Sequence, residues 1–159
     1  MLGDRSLRPR LAYRDVASAT NQLTLIAALL PAESASTHTL FCLRTPLPAR
    51  AQYFLCGLFN SLPINYLARL RVTTHVTTAI VERLPIPTRT GQPAAFAEIA
   101  ACARVLTRAY DRHVFARLNA RVAALYCLTQ DEFAYVLSTF PLVERQDKDA
   151  AAAEFARIS

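Results

Sequence analysis

Only three glycines, Gly3, Gly57 and Gly91, occur in this chain of 159 residues, and no two lie within thirty positions of each other. A G-x-G-x-x-G turn or a Walker A loop needs several glycines within a few residues, so that the backbone can close on a phosphate. The chain therefore carries no Gly-rich loop for a nucleotide or for S-adenosylmethionine, and no cofactor is expected. Its length suits one domain of roughly 100–200 residues, with room for a small appendage. With 53% hydrophobic and 19% charged residues, it has enough apolar surface to bury a core and too little charge density to stay unfolded.

The charge is unevenly placed. Of 18 basic residues 17 are Arg, and Lys148 is the one Lys. Arginine makes bidentate contacts with phosphates and guanine edges, which suits a nucleic-acid partner, although a GC-rich genome yields the same skew. Residues 1–90 hold ten Arg against four acids, whereas residues 91–159 hold eight cations against eight acids. The whole formal net charge of +6 thus belongs to the first part, which points to a polyanion there.

Cys42, Cys56, Cys102 and Cys127 form no C-x-x-C pair and have no His at ligand spacing, which argues against zinc. The start of the chain is charged and has no apolar h-region, so no signal peptide is expected. The apolar run 23–31 is too short to span a bilayer. A cytoplasmic protein with free, mostly buried thiols is expected, with no membrane partner.

Along the chain, residues 10–17, 23–31 and 39–45 have strand character, the last ended by Pro46 and Pro48. Residues 49–60 place Phe54, Leu55, Leu58 and Phe59 at helical spacing, and Ser61 then caps a second short helix. The β-branched stretch around Thr73–Thr78 predicts an extended segment over 76–82. Leu84-Pro85-Ile86-Pro87 cannot be regular helix and is expected to act as a rigid strap. Residues 94–126 contain neither Gly nor Pro and predict one or two long amphipathic helices, and Thr129 with Glu132 forms a capping-box pattern opening a third. The tail 144–159 is charged and Ala-rich and is expected to be a frayed helix or disordered. The fold class is α+β: a small mixed α/β module over residues 1–90, a helical spacer or docking segment over 91–140, and a charged tail over 141–159.

Enzymatic chemistry finds little support. His38, His75 and His113 have no G-x-S-x-G elbow to serve, and His113 reads as a surface or interface residue in a helical zone. Gln146, not an acid, stands two residues before the one lysine, so the D/E-x-K pattern of metal-dependent nucleases is absent. The acids cluster in the helical tail, where a solvated face accounts for them. What remains in the basic part is a set of Arg, Tyr and Asn residues. Arg and Asn read guanine and adenine edges, although phosphate contact is the commoner fate of Arg.

Three blocks of sequence resemble one family. The first runs from Arg14-Asp15-Val16-Ala17 through Ala19-Thr20-Asn21 and Thr24 to Leu30-Pro31. The second joins Leu58, Asn60-Ser61, Asn65-Tyr66, Arg69, Arg71-Val72 and Thr74-His75 to Leu84-Pro85-Ile86-Pro87. The third covers Leu118-Asn119-Ala120, Val122-Ala123, Leu125-Tyr126, Leu128-Thr129 and Glu132-Phe133. In order and spacing they resemble the C-terminal target-recognition domain of type IIG restriction–modification enzymes and related adenine-N6 DNA methyltransferases, over about residues 10–145. In such enzymes an upstream Rossmann-like domain binds S-adenosylmethionine and carries an Asn-Pro-Pro-Tyr motif for the flipped base. No Asn-Pro dipeptide occurs in this chain. The resemblance thus implies the DNA-reading part, not an enzyme on its own: a detached subunit, a split gene product or a truncated remnant.

The expected partners are double-stranded DNA and a methyltransferase catalytic domain or subunit supplied in trans. Arg14, Arg69 and Arg71 are candidates for backbone contact, with Asn21, Arg44 and Arg50 as further DNA-binding candidates. Loop 32–38 and the segment Thr73–Thr78, with Thr73, Thr74 and His75, are candidates for base-edge readout. Arg14 and Asp15 also fit an intradomain ion pair, and Asn60-Ser61 fits a helix-turn cap better than a DNA contact. The competing expectation is a helical protein-interaction or oligomerisation module that does not bind DNA.

Overall fold

Leu11 and Tyr13 alternate with Arg10, Ala12 and Arg14, and this period of two makes 10–14 a strand with one apolar face. In the computed structural model, which describes residues 8–34, 36–43, 47–88 and 90–159, this strand is β1 (Arg10–Arg14). It is the centre of a three-stranded antiparallel sheet ordered β2-β1-β3, with β2 at Ala27–Leu30 and β3 at Leu40–Cys42. Pairing sets Leu11 against Leu29 and Tyr13 against both Ala27 and Phe41. Seven helices follow among the described residues: α1 (Ala49–Asn60), α2 (Leu62–Arg69), α3 (Thr78–Glu82), α4 (Pro93–Leu106), α5 (Arg112–Leu125), α6 (Gln130–Ser138) and α7 (Arg145–Ile158). The fold class is α+β.

Several elements differ from their sequence expectation, each for a physical reason. The run 23–31 is a strand only from Ala27, because the buried Asn65 amide holds the backbone of Thr24 and Leu25 in a turn. Residues 76–82 are not extended throughout: Thr78–Glu82 turn helical, with Ile80 and Val81 packed on the core. β-Branched propensity is a weak bias that such packing overrides. Ser61 does not cap α2 with its side chain. Its hydroxyl donates to the Leu58 carbonyl, and the Asn119 side-chain amide oxygen (Oδ1) accepts from Leu62 N–H at 2.7 Å instead. The run 94–126 forms two helices, α4 and α5, as one of its two expected forms, and Asp111 caps α5 by accepting from Val114 N–H. Thr129 and Glu132 form the expected capping box. Pro46 and residues 44–45, at the end of the expected third strand, lie outside the described residues.

The tail is neither frayed nor disordered. Residues 145–158 form α7, whose Ala151 and Phe155 are buried, with Phe155 edge-on to Phe133 at 5.0 Å. Nor does position 90 divide the core. Gly57 of α1 brings α4 so close that a Cβ there would stand 2.9 Å from Ile99 Cγ2. One core therefore joins Leu11, Tyr13, Phe54 and Leu58 to Phe96, Ile99 and Leu118, with Phe54 and Phe96 stacked at 4.1 Å. A second core seats Leu62 among α5, α6 and α7. The strap Leu84–Pro87 has neither helix nor strand; Leu84 is buried, and the Pro85 carbonyl accepts from the Tyr126 hydroxyl at 2.6 Å.

Candidate nucleic-acid interface

Beyond Arg14 the chain leaves the sheet, and its backbone groups need new partners. Asp15 N–H donates to the Thr39 carbonyl at 2.9 Å, and the Asp15 carbonyl accepts from Val76 N–H at 2.8 Å. Ala17 N–H donates to the Thr74 carbonyl at 3.2 Å, and Val16 and His75 form an antiparallel bridge. Residues 15–17 are thus held between the end of loop 32–38 on one side and residues 74–76 on the other. One side-chain link reinforces this: His75 Nδ1 lies 3.1 Å from the Asp15 carboxylate. The pair leaves the imidazole about half exposed, at 52%. Thr73 and Thr74 are exposed beside it, and Val16 presents an apolar side chain at the same edge.

Loop 32–38 reaches this edge through Thr39. Its Ser34 carbonyl accepts from Arg10 Nη2 at 2.6 Å, and Thr37 and Thr39 link their hydroxyls at 2.8 Å. Ser36, Thr37 and His38 are exposed; residue 35 is outside the described residues. Arg14 is half-buried, on the same sheet face as Arg10, and its Nε is shielded with no hydrogen-bond partner. Arg14 and Asp15 make no ion pair; Asp15 pairs with His75 instead.

Other candidates fall elsewhere. Arg69 is occupied within the molecule. Its guanidinium donates to the carbonyls of Asn21, Gln22 and Thr139 and to the Thr24 hydroxyl, and it stacks 4.0 Å from the Phe140 ring centroid. Burial pulls its pKa below the ordinary guanidinium value. Arg69 is therefore a clamp between loop 21–24 and the end of α6, and it has few donors left for a phosphate. Asn21 serves that clamp through its own carbonyl. Asn60 and Asn65 are also committed to the backbone: Asn60 donates to and accepts from Ala27, and Asn65 binds Thr24, Leu25, Phe59 and Ser61. Arg71 is exposed just before Thr73, held only to the Leu67 carbonyl one turn back. Arg50 faces α4 beside Arg104, away from these contacts. Arg44 lies outside the described residues.

No family model, no curated protein and no solved structure matches this chain.

The geometry alone defines what the edge offers. Among the described residues, Arg71, Thr73, Thr74, His75 and the Thr37–Thr39 turn bring cation, hydroxyl and imidazole groups to the two segments that flank residues 15–17. The His75 ring meets Asp15 through Nδ1, which leaves Nε2 as its second polar atom. No group of three or more His, Cys, Asp or Glu stands close enough to hold a metal ion among the described residues. Thr39 was not singled out by sequence reasoning; only its backbone carbonyl places it here, and no side-chain pattern signals that. All four cysteines are free thiols, Cys56 and Cys102 buried, Cys42 half-buried and Cys127 exposed. No helix among the described residues is long and apolar enough to cross a membrane.

Proposed function

We propose that this chain is a double-stranded DNA recognition module of the adenine-N6 methyltransferase, restriction–modification kind. It acts in the cytoplasm with a catalytic, S-adenosylmethionine-binding part supplied by another polypeptide segment. The observation that carries the reading is the convergence of residues 15–17, 37–39 and 73–76 at one edge, pinned by backbone hydrogen bonds, where Thr37, Thr73, Thr74 and His75 are exposed. Two of those segments belong to the blocks that resemble target-recognition domains, and they meet although sixty residues separate Asp15 from His75.

In this reading Arg71 and Arg14 touch phosphates, which supplies affinity and register without sequence information. Thr73, Thr74, His75 and the Thr37–Thr39 turn face base edges, and Val16 supplies an apolar contact of the kind a thymine methyl takes. The charge asymmetry supports it, since the +6 falls in residues 1–90. The chain then confers target choice and performs no chemistry itself.

The test is binding of the 159-residue chain to duplex DNA of mixed sequence across a salt series. Counterion release requires log Kd to rise linearly with log salt concentration, by about 0.9 per phosphate contacted. Affinity that stays constant from about 50 to about 200 mM salt sinks the proposal. Substituting His75 or Thr74 is expected to change preference among sequences while leaving the salt slope intact.

A further inference from the structure

We propose that the groove between α2 and α6 is a docking site for a basic amphipathic helix of a partner protein. The groove has a volume of about 570 Å³ and is walled by Ile64 and Leu67 on α2 and by Leu128 and Val136 at and within α6. Tyr66 and Tyr135 meet edge-on across it, with ring centroids 6.1 Å apart. One of its lining residues stands largely in water: Tyr135 is 61% exposed. An apolar groove with an exposed aromatic at its rim, beside polar groups, has the make-up of an interaction surface.

Charge selects the occupant. The chain carries +6 overall, yet the charged residues lining this groove are Asp131 and Glu132, and no Lys or Arg lines it. Glu132 is held by the capping box, whose hydrogen bonds to Thr129 keep its carboxyl below the usual carboxylate range. Asp131 is exposed and has no ion-pair partner among the described residues. The complement is therefore an apolar body with a cation on it, the opposite of a nucleic acid. Shape selects the class. The walls are two helices, and the eight residues of α2 run for about 12 Å, enough for about two turns of a third helix laid alongside. The groove uses none of the residues 15–17, 37–39 and 73–76, so this inference does not rest on the DNA reading, and either can fail alone.

The chain has no Trp, so a peptide carrying one Trp reports its own binding by fluorescence. Three peptides of about 16 residues, long enough to hold a helix, serve as probes. One has a Leu stripe flanked by Lys, its twin has Glu in place of Lys, and a third scrambles the Lys peptide so that charge stays and the stripe is lost. The Lys peptide is expected to bind the full chain at least about tenfold more tightly than either of the others. Asp131→Asn should erase the preference for Lys over Glu, Asp131→Lys should reverse it, and Tyr135→Ala should weaken binding of both. Thermal unfolding checks that each variant is folded, and Tyr66→Ala, on the facing wall, is the substitute should Tyr135→Ala not fold. Equal binding of the scrambled or Glu peptide, or no binding at all, overturns the proposal. So does a self-associated chain in sedimentation that Tyr135→Ala returns to monomer, because the occupant is then a second copy.

Discussion

Two arginines two positions apart on one helix end have opposite roles. Arg69 gives its donors to carbonyls at positions 21, 22 and 139 and its face to Phe140, whereas Arg71 stays exposed. Arg69→Ala removes charge-assisted bonds and strands their acceptors, at an expected cost of about 2 to 3 kcal/mol in chemical denaturation. Arg71→Ala should leave stability within about 0.5 kcal/mol and lower the salt slope of DNA binding by about one. Nothing local in the sequence distinguishes the two, because the partners of Arg69 are distant in the chain. Three weak acids with raised pKa values make a separate prediction. Burial pushes the Cys56 thiol up from 9.0 to about 11, and the Tyr13 and Tyr126 hydroxyls up from 10.0 to about 12. The unfolded chain then loses these protons first, so stability holds below pH 9 and falls as pH rises through 9 to 12. Denaturation midpoints measured along that range should decline, and Cys56→Ala should flatten the first part of the decline.

Among the elements, legibility followed the distance between interacting partners. The capping box of α6 was readable because Thr129 and Glu132 are three residues apart, and α1 because its apolar positions repeat at helical spacing. The strand expected at 23–31 holds only from Ala27, and the segment expected to be extended over 76–82 turns helical from Thr78, since Asn65 and the core reshape them from afar. The tail was misread for a related reason: its polar composition hides the two positions, Ala151 and Phe155, that α5 and α6 bury. Gly57 tests how tightly elements are fitted. Alanine is the better helix former by about 1 kcal/mol, but its Cβ would meet Ile99 Cγ2 at 2.9 Å and Leu118 Cδ1 at 3.2 Å. Gly57→Ala is therefore expected to destabilise, by about 1 to 3 kcal/mol, with a lowered thermal midpoint as the readout. A gain in stability would mean that α1 and α4 pack less closely than described.

At the scale of the molecule, the basic part and the helical part share a core. Phe96, Ile99 and Leu118 complete the hydrophobic surroundings of Phe54 and Leu58, and Asn119 caps the start of α2. A fragment ending at residue 90 would expose that face and leave Leu62 N–H without its acceptor. It is expected to give no cooperative thermal transition, while the full chain unfolds in one. A cooperative transition in the fragment would restore the view of residues 1–90 as an independent module. The polar edge and the α2–α6 groove are neighbours along the chain, since α2 carries the groove wall and leads through Arg71 into Thr73–His75.

The amino-acid order by itself determined what depends on near neighbours: the α+β class, most helices, the lack of a Gly-rich loop and the concentration of positive charge before residue 90. Tertiary structure alone decided which polar side chains remain available. Arg69, Asn60 and Asn65 match nucleic-acid-reading residues in type, yet backbone groups far along the chain claim them. A buried carbonyl or N–H must find a partner, and no local pattern reveals which side chain will supply it. His75, Thr74 and Arg71 are left facing water because the backbone beneath them is already paired.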